Sequence, residues 1–391
     1  MGAGKRPEHG FIPRRKGLTM SGGSQKRYRV GVIGFAHMHV NALVDQFIAT
    51  GRADIVACAD TVPATPSRTV VEGSRIANMA RTLSGSGGPR KYEDYREMLA
   101  AERLDIAILC PEISRHAEVS EAVAGHGVHM VTEKPMAGRM ADARRMVAAA
   151  QAGKVALAVN WPITWRPAIR RVKALLAAGA IGDVWQFKWR NGASLGPLAH
   201  GSSHPGNTVV SGLVSDAEKA AEWWHQAEEG GGALLDYCCY GACLASWYLD
   251  AAALSVQGLR VNLMSPGTAD DNAALLVRFP SAIAVLEASW TTFHIGVPSG
   301  PIIYGTHGTI VVDGAEVLIY RERGATRPSL VERGDPLPLG RATIGEEFLH
   351  HIETGDALHP TLDVRMNLAA VGILDAGNRS AESGAAEAVV R

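Results

Sequence analysis

Between Arg29 and Val159 the chain repeats one unit: a short apolar run, a punctuating glycine, aspartate or proline, then a segment of helical length. The runs are Arg29–Gly34, Ala53–Ala59, Leu104–Pro111, Val128–Pro135 and Val155–Val159. Apolar strands separated by helices of roughly 10–15 residues specify a parallel, doubly wound sheet covered on both faces. Ligands of such sheets sit beyond the carboxyl ends of the strands, so the residues closing each run matter most. The fourth run closes on Glu133-Lys134-Pro135. Pro135 stops the ladder because it has no amide proton, and a charged pair at that edge suits chemistry better than packing.

The first run ends in Gly34 and continues Phe35-Ala36-His37-Met38-His39 before a helical pattern from Val40 to about Thr50. Strand, tight turn and helix start make the first half of a nucleotide-binding βαβ unit. Counted from Gly34, the second and third glycine positions hold Ala36 and His39. Asp60 closes the next strand, where an acid roughly 20 residues or more past the turn suits a ribose 2′-hydroxyl. That favours NAD over NADP, whose 2′-phosphate would meet a carboxylate. His37 and His39 lie where they contact cofactor phosphates or substrate, or simply cap the helix.

After Asn160-Trp161-Pro162 the pattern changes. A helix (167–178) and a strand (183–190) precede a Gly/Ser/His-rich loop, and a helix follows over 236–249. Strand-like runs then crowd at 254–264, 271–279, 282–290, 301–306, 308–313 and 316–321, which predicts an antiparallel or mixed sheet. The expected fold is α/β: an N-terminal Rossmann doubly wound parallel sheet, then a C-terminal α+β domain with a large, open, mostly antiparallel sheet. The expected divisions are a disordered tail (1–26), a dinucleotide-binding domain (27–160), a substrate and oligomerisation domain (161–343), and helices over 344–354 and 364–380 packing back on the first domain (344–391).

Lys plus Arg equals Asp plus Glu at 39 each, so no bulk field draws nucleic acid or an anionic membrane. No stretch approaches the roughly 18 apolar residues of a membrane span. The basic, Gly-rich start has no apolar run after Arg14-Arg15, as a secretory signal requires. Five cysteines, two of them adjacent, do not make a disulfide framework. A cytoplasmic protein is expected.

These motifs together resemble the Gfo/Idh/MocA oxidoreductase family. The carriers are Gly31-Val32-Ile33-Gly34, Asp60, Cys110-Pro111-Glu112 with His116, Glu133-Lys134-Pro135, Arg166-Pro167, Gly179-Ala180-Ile181-Gly182, and Gly230-Gly231-Gly232-Ala233-Leu234-Leu235-Asp236 with Tyr240. Arg379-Ser380-Ala381-Glu382-Ser383-Gly384 resembles the family's closing helix. The resemblance implies an NAD(P)-dependent dehydrogenase or reductase acting on CH–OH groups of a sugar, polyol or related cyclic alcohol. It also implies a homodimer or homotetramer formed through the second sheet. Cofactor residues are then Gly34, Phe35, Ala36, His37, His39, Asp60, Pro111, Glu112, His116, Glu133, Lys134 and Arg166. Tyr240 departs from the histidine common at its position in the family.

Asp236 and Tyr240 stand four apart and share a helix face. A tyrosine needs an adjacent cation to act as a base near neutral pH, and Lys134 is the natural supplier. The catalytic assignment is Tyr240 as proton acceptor or donor, Lys134 as its electrostatic partner, and Asp236 orienting both lysine and substrate. Lys134 as direct base is the close alternative. Against these stand plainer roles, Asp236 as a helix cap and Tyr240 as a core aromatic. Trp161, His204, Trp224 and His225 are the expected substrate contacts, within or beside a lid over 191–226. No metal site is expected: Cys238, Cys239 and Cys243 fit small buried hydrophobes, and His200, His204 and His225 lack fixed ligand spacing. Two other functions stay open, a glycoside-cleaving or eliminating enzyme with internally recycled NAD, and a non-catalytic NAD sensor.

Overall fold

The computed structural model describes residues 26–85, 87–192, 196–199 and 210–390. His200 and His204 lie outside the described residues, as does the tail through residue 25.

The first sheet is built from β1 (Tyr28–Ile33), β2 (Ala53–Ala59), β3 (Arg90–Tyr92), β4 (Ile106–Leu109), β5 (His129–Glu133) and β6 (Leu157–Asn160). Its order is β3-β2-β1-β4-β5-β6, all parallel. The order reverses between β1 and β4, so a crevice opens at their carboxyl ends. Helices α1 (His39–Ala49), α2 (Arg75–Ser84), α3 (Tyr95–Ala101), α4 (His116–Gly125) and α5 (Met140–Gly153) connect the strands. β4 is buried at every position, as expected of a strand covered on both faces.

Residues 61–103 hold two helices and a short strand that the apolar pattern does not predict. There α2 starts on Ser74, whose side chain accepts the Ala77 amide, and α3 on Asp94, which accepts from Arg96.

Helix α6 (Pro167–Ala177) leads into the second sheet, whose order is β14-β13-β12-β11-β7-β10-β9-β8-β15. The strands are β7 (Val184–Gly192), β8 (Ser255–Val261), β9 (Asn272–Arg278), β10 (Ile283–Ser289), β11 (Ile302–Gly305), β12 (Gly308–Asp313), β13 (Glu316–Tyr320), β14 (Leu330–Arg333) and β15 (Glu387–Ala388). All neighbours are antiparallel except β7 and β10. The edge strands β14 and β15, short and polar, gave no sequence signal. Along β9, buried Ala273, Leu275 and Val277 alternate with more exposed neighbours, so one face packs and the other stays open.

The packed face receives α8 (Cys239–Leu249) and α10 (Val364–Ser383). A Cβ on Gly258 would stand 2.5 Å from the Gly377 carbonyl oxygen, which shows how closely α10 lies on the sheet. Helix α7 (Asp216–Ala221) leads into a short turn over Trp223–His225, which bonds the Ala36 carbonyl after β1 and Ser265 after β8. Helix α9 (Ile344–Thr354) lies against α1, with Phe348 meeting Phe47 edge to face. None of the described helices is long and apolar enough to cross a membrane.

Candidate active site at the carboxyl edge of the parallel sheet

Lys134 follows β5 directly and is 1 % exposed. Its ammonium donates to Asp236 Oδ1 at 2.7 Å and to the Asp236 carbonyl oxygen at 3.0 Å. The expected α-helix over 236–249 instead opens as a π-helical turn, Leu234–Cys238, before α8. Such widened turns leave backbone carbonyls outside the regular ladder, and here the Asp236 carbonyl is the one Lys134 takes. Asp236 is therefore not an N-cap. The turn is anchored from behind: Asp270 Oδ2 accepts the Leu234 amide at 2.8 Å. Gly232, at φ +114, packs so close that a Cβ would stand 2.4 Å from Asp270 Oδ1.

Burial opposes the charge on Lys134, but the Asp236 carboxylate outweighs it and holds the ammonium well above its ordinary pKa. Tyr240 presents its ring face to that ammonium, Nζ to centroid 4.8 Å. Trp161 meets the ring edge-on at 5.4 Å and Trp189 stacks at 6.0 Å. Burial raises the phenol's pKa, and the Lys134 charge offsets only part of that. The expectation of a lysine-acidified tyrosine base is thus corrected, since desolvation outweighs the charge. At neutral pH both groups keep their protons and are donors. The Tyr240 hydroxyl is buried with no hydrogen-bond partner among the described residues, a cost that a bound oxygen would remove.

A second buried constellation lies alongside. His39 Nδ1 is 2.8 Å from Glu133 Oε1, and Asn160 Nδ2 donates to Glu133 Oε2 at 2.8 Å. His37 Nδ1 accepts the His39 amide at 3.1 Å. His39 occupies the third glycine position of the turn, and its ring reaches across β4 to the end of β5.

On the β2 side, Asp60 Oδ1 accepts from the Phe35 and Thr61 amides and from Arg75 at 2.6 Å. No bond to Oδ2 occurs among the described residues, and the carboxylate is partly exposed. That leaves one oxygen for a ribose hydroxyl, and Gly34 at φ +85 packs where a Cβ would stand 2.3 Å from Pro111 N. The turn and acid therefore fit a dinucleotide. Residues 222–231 cover the turn: Trp223 Nε1 donates to the Ala36 carbonyl at 2.6 Å, and the Trp224 ring lies tilted against His37, centroids 4.4 Å apart.

Other expected contacts are spent elsewhere. Glu112 is fully buried, pairing with Arg75 and accepting the Thr61 hydroxyl at 2.8 Å, so it braces the loop after β2. His116 Nδ1 is 3.1 Å from the Met136 carbonyl, and burial lowers its pKa. Arg166 donates to the Gly314 carbonyl at the β12–β13 hairpin, in the second sheet, and does not join the cofactor residues. Trp161 Nε1 donates to Asn367, and its buried ring buttresses Tyr240. His225 Nδ1 bonds Ser265 at 2.6 Å and fixes the loop after β8. His204 lies outside the described residues. Arg75 and Asn160 join the site beyond the residues expected from the sequence; Arg75 opens a helix capped by Ser74, a pattern readable in the sequence. All five cysteines are free and buried.

A six-stranded parallel sheet with a switch-point crevice, a paired lysine beside it and a large antiparallel sheet beyond define a two-domain dinucleotide-binding oxidoreductase. Residues 28–161 match the oxidoreductase family with NAD-binding Rossmann fold and 169–311 match the GFO/IDH/MocA C-terminal domain; the chain belongs to this family. A dTDP-3,4-didehydro-2,6-dideoxy-α-D-glucose 3-reductase of Streptomyces violaceoruber is 25% identical over 308 residues, 78% of each chain. D-apiose dehydrogenase of Paraburkholderia graminis is 34% identical over 160 residues, 40% of this chain and 38% of that enzyme. The fold is that of the WlbA dehydrogenase from Bordetella pertussis, solved with NADH and UDP-GlcNAcA (TM-score 0.69, 21% identity, 94% of this chain and 100% of that one).

Proposed function

We propose that the protein is a NAD(P)-dependent oxidoreductase interconverting a hydroxyl and a keto carbon of a sugar or sugar derivative, with Tyr240 and Lys134 handling the proton. The observation that carries this is the unpartnered, buried Tyr240 hydroxyl beside the Lys134–Asp236 pair. A bound nicotinamide supplies or takes the hydride. In the reducing direction Tyr240 gives its proton to the carbonyl oxygen as the carbon accepts hydride. The Lys134 ammonium, held over the ring by Asp236, stabilises the phenolate until solvent returns a proton. Oxidation runs the same transfers backwards. The sugar-nucleotide reductase and sugar dehydrogenase among its relatives support the substrate class. Asp60 Oδ2, open to a ribose hydroxyl, favours NAD. Leu259, Leu276 and Ile283, exposed on the open sheet face, suit a homodimer or homotetramer built there. Five free, buried cysteines suit the cytoplasm.

The test is to denature the purified protein, identify any nucleotide released, and follow absorbance near 340 nm with keto sugars and sugar alcohols. Nucleotide binding with turnover that Tyr240→Phe abolishes is the expected result. Binding of neither NAD nor NADP overturns the reading. Product without net change in nicotinamide would instead favour internal redox cycling.

A further inference from the structure

We propose that His37, His39 and Glu133 bind one divalent transition-metal ion of the zinc class at the edge of the phosphate turn. One ligand atom from each residue lies within 4.8 Å of the others. All three side chains are 1 % exposed. The two imidazoles sit with ring centroids 4.1 Å apart. An ion about 2.0–2.2 Å from each donor draws such a trio together by small side-chain movements.

The donors are well placed for this. Glu133 ends β5, His37 stands on the tight turn after β1 and His39 opens α1, so regular elements support the donors. Asn160, at the end of the adjacent β6, holds Glu133 Oε2 at 2.8 Å and fixes the carboxylate's orientation. Such outer partners are what metal-ligating carboxylates and imidazoles require.

Charge points the same way. Glu133 is fully buried, and the nearest ammonium, Lys134, is already paired with Asp236, which leaves the two imidazoles and Asn160 around the carboxylate. Buried charge is costly unless it is paired or coordinated, and a cation between Glu133 and the imidazoles would coordinate the carboxylate directly. Two imidazoles with one carboxylate favour zinc, cobalt, manganese or iron over magnesium and calcium, which prefer all-oxygen ligands. Three protein ligands leave a further coordination position open. The competing arrangement is a plain His39–Glu133 hydrogen bond, with His37 accepting the His39 amide.

The readout is metal content, independent of turnover. The full-length protein is stripped with a chelator, dialysed metal-free, and titrated with Co²⁺ and Zn²⁺, with bound metal counted by mass spectrometry. The wild-type chain is expected to bind about one ion, giving cobalt absorption in the visible region and a raised thermal midpoint with Zn²⁺. His37→Gln, His39→Gln and Glu133→Gln are each expected to weaken binding by about 100-fold or more, and Asn160→Ala by about 10-fold. A wild-type chain that takes up none of these ions overturns the proposal and leaves His39–Glu133 as a hydrogen-bonded pair. Undiminished loading in the His37→Gln, His39→Gln double variant also overturns it, because other residues then hold the metal. A chain that takes up no metal yet reduces sugars refutes this site alone; a loaded chain that binds no nucleotide refutes the oxidoreductase reading alone.

Discussion

Asp236 holds Lys134 twice, through its carboxylate at 2.7 Å and through its own peptide carbonyl at 3.0 Å. The second contact falls within a π-helical turn. Removing one partner leaves an uncompensated buried charge, so Asp236→Ala is expected to destabilise the protein by roughly 3–5 kcal/mol. Replacing both, as Lys134→Met with Asp236→Leu, should recover much of that loss while activity stays abolished. Denaturant melts of the single and double variants, read beside turnover, check this; a double variant no more stable than Asp236→Ala would mean that the loss does not come from an unpaired buried charge.

Tyr240→Phe removes only the hydroxyl, which has no partner among the described residues. The ring contacts with Trp161, Trp189 and Lys134 survive. Stability should therefore be unchanged or slightly higher, since a buried polar group without a bond is a cost. Turnover is expected to fall by about 10²- to 10⁴-fold, the usual worth of a positioned proton donor. Equal loss of stability and activity would make Tyr240 a core residue.

Trp223 caps the turn through its bond to the Ala36 carbonyl. Phenylalanine keeps the bulk and loses the donor. With a hydrogen bond worth about 1 kcal/mol, Trp223→Phe should speed nucleotide release by roughly 5-fold and leave the thermal midpoint nearly unchanged. Stopped-flow fluorescence of NADH displacement measures it, and unaltered release would show that residues 222–231 do not gate the groove.

Asp60 supplies one oxygen to the turn, to Thr61 and to Arg75, leaving the other open. Asp60→Asn keeps an acceptor for the amides but removes the charge opposing a 2′-phosphate, and Arg75 remains beside it. NAD affinity is expected to drop by about 10-fold and NADP affinity to rise, as titrations with both nucleotides would report. An unchanged ratio of the two affinities would mean that the adenosine ribose sits elsewhere.

The strands and their ends were legible because apolar runs, Gly34, Asp60 and Pro135 punctuate the chain, and strand ends converge by topology alone. The Lys134–Asp236–Tyr240 grouping followed from strand end, family resemblance and helix spacing. What stayed hidden was tertiary. Nothing local tells that Glu112 and His116 spend their polar atoms on Arg75 and the Met136 carbonyl, or that Arg166 turns to a hairpin in the second sheet. The π-helical turn has no local signal either. Protonation was misjudged for a physical reason: a lysine over a ring lowers a phenol's pKa, but complete burial raises it more.

Asp270 anchors the π-helical turn through the Leu234 amide, and its titration makes stability depend on pH. Burial raises its carboxyl from an ordinary value near 3.8 to about 6, with the Leu234 hydrogen bond offsetting only part. Between those values the folded chain keeps a proton that the unfolded chain has lost, so the folded state binds more protons. Stability from this group is full below about pH 4 and falls as pH rises through 6, by about 3 kcal/mol in all. Asparagine accepts the same amide without titrating. The advantage of Asp270→Asn over wild type should therefore grow between pH 4.5 and 7, as urea melts at both would register. A difference that stays flat across that range would mean Asp270 is ionised throughout.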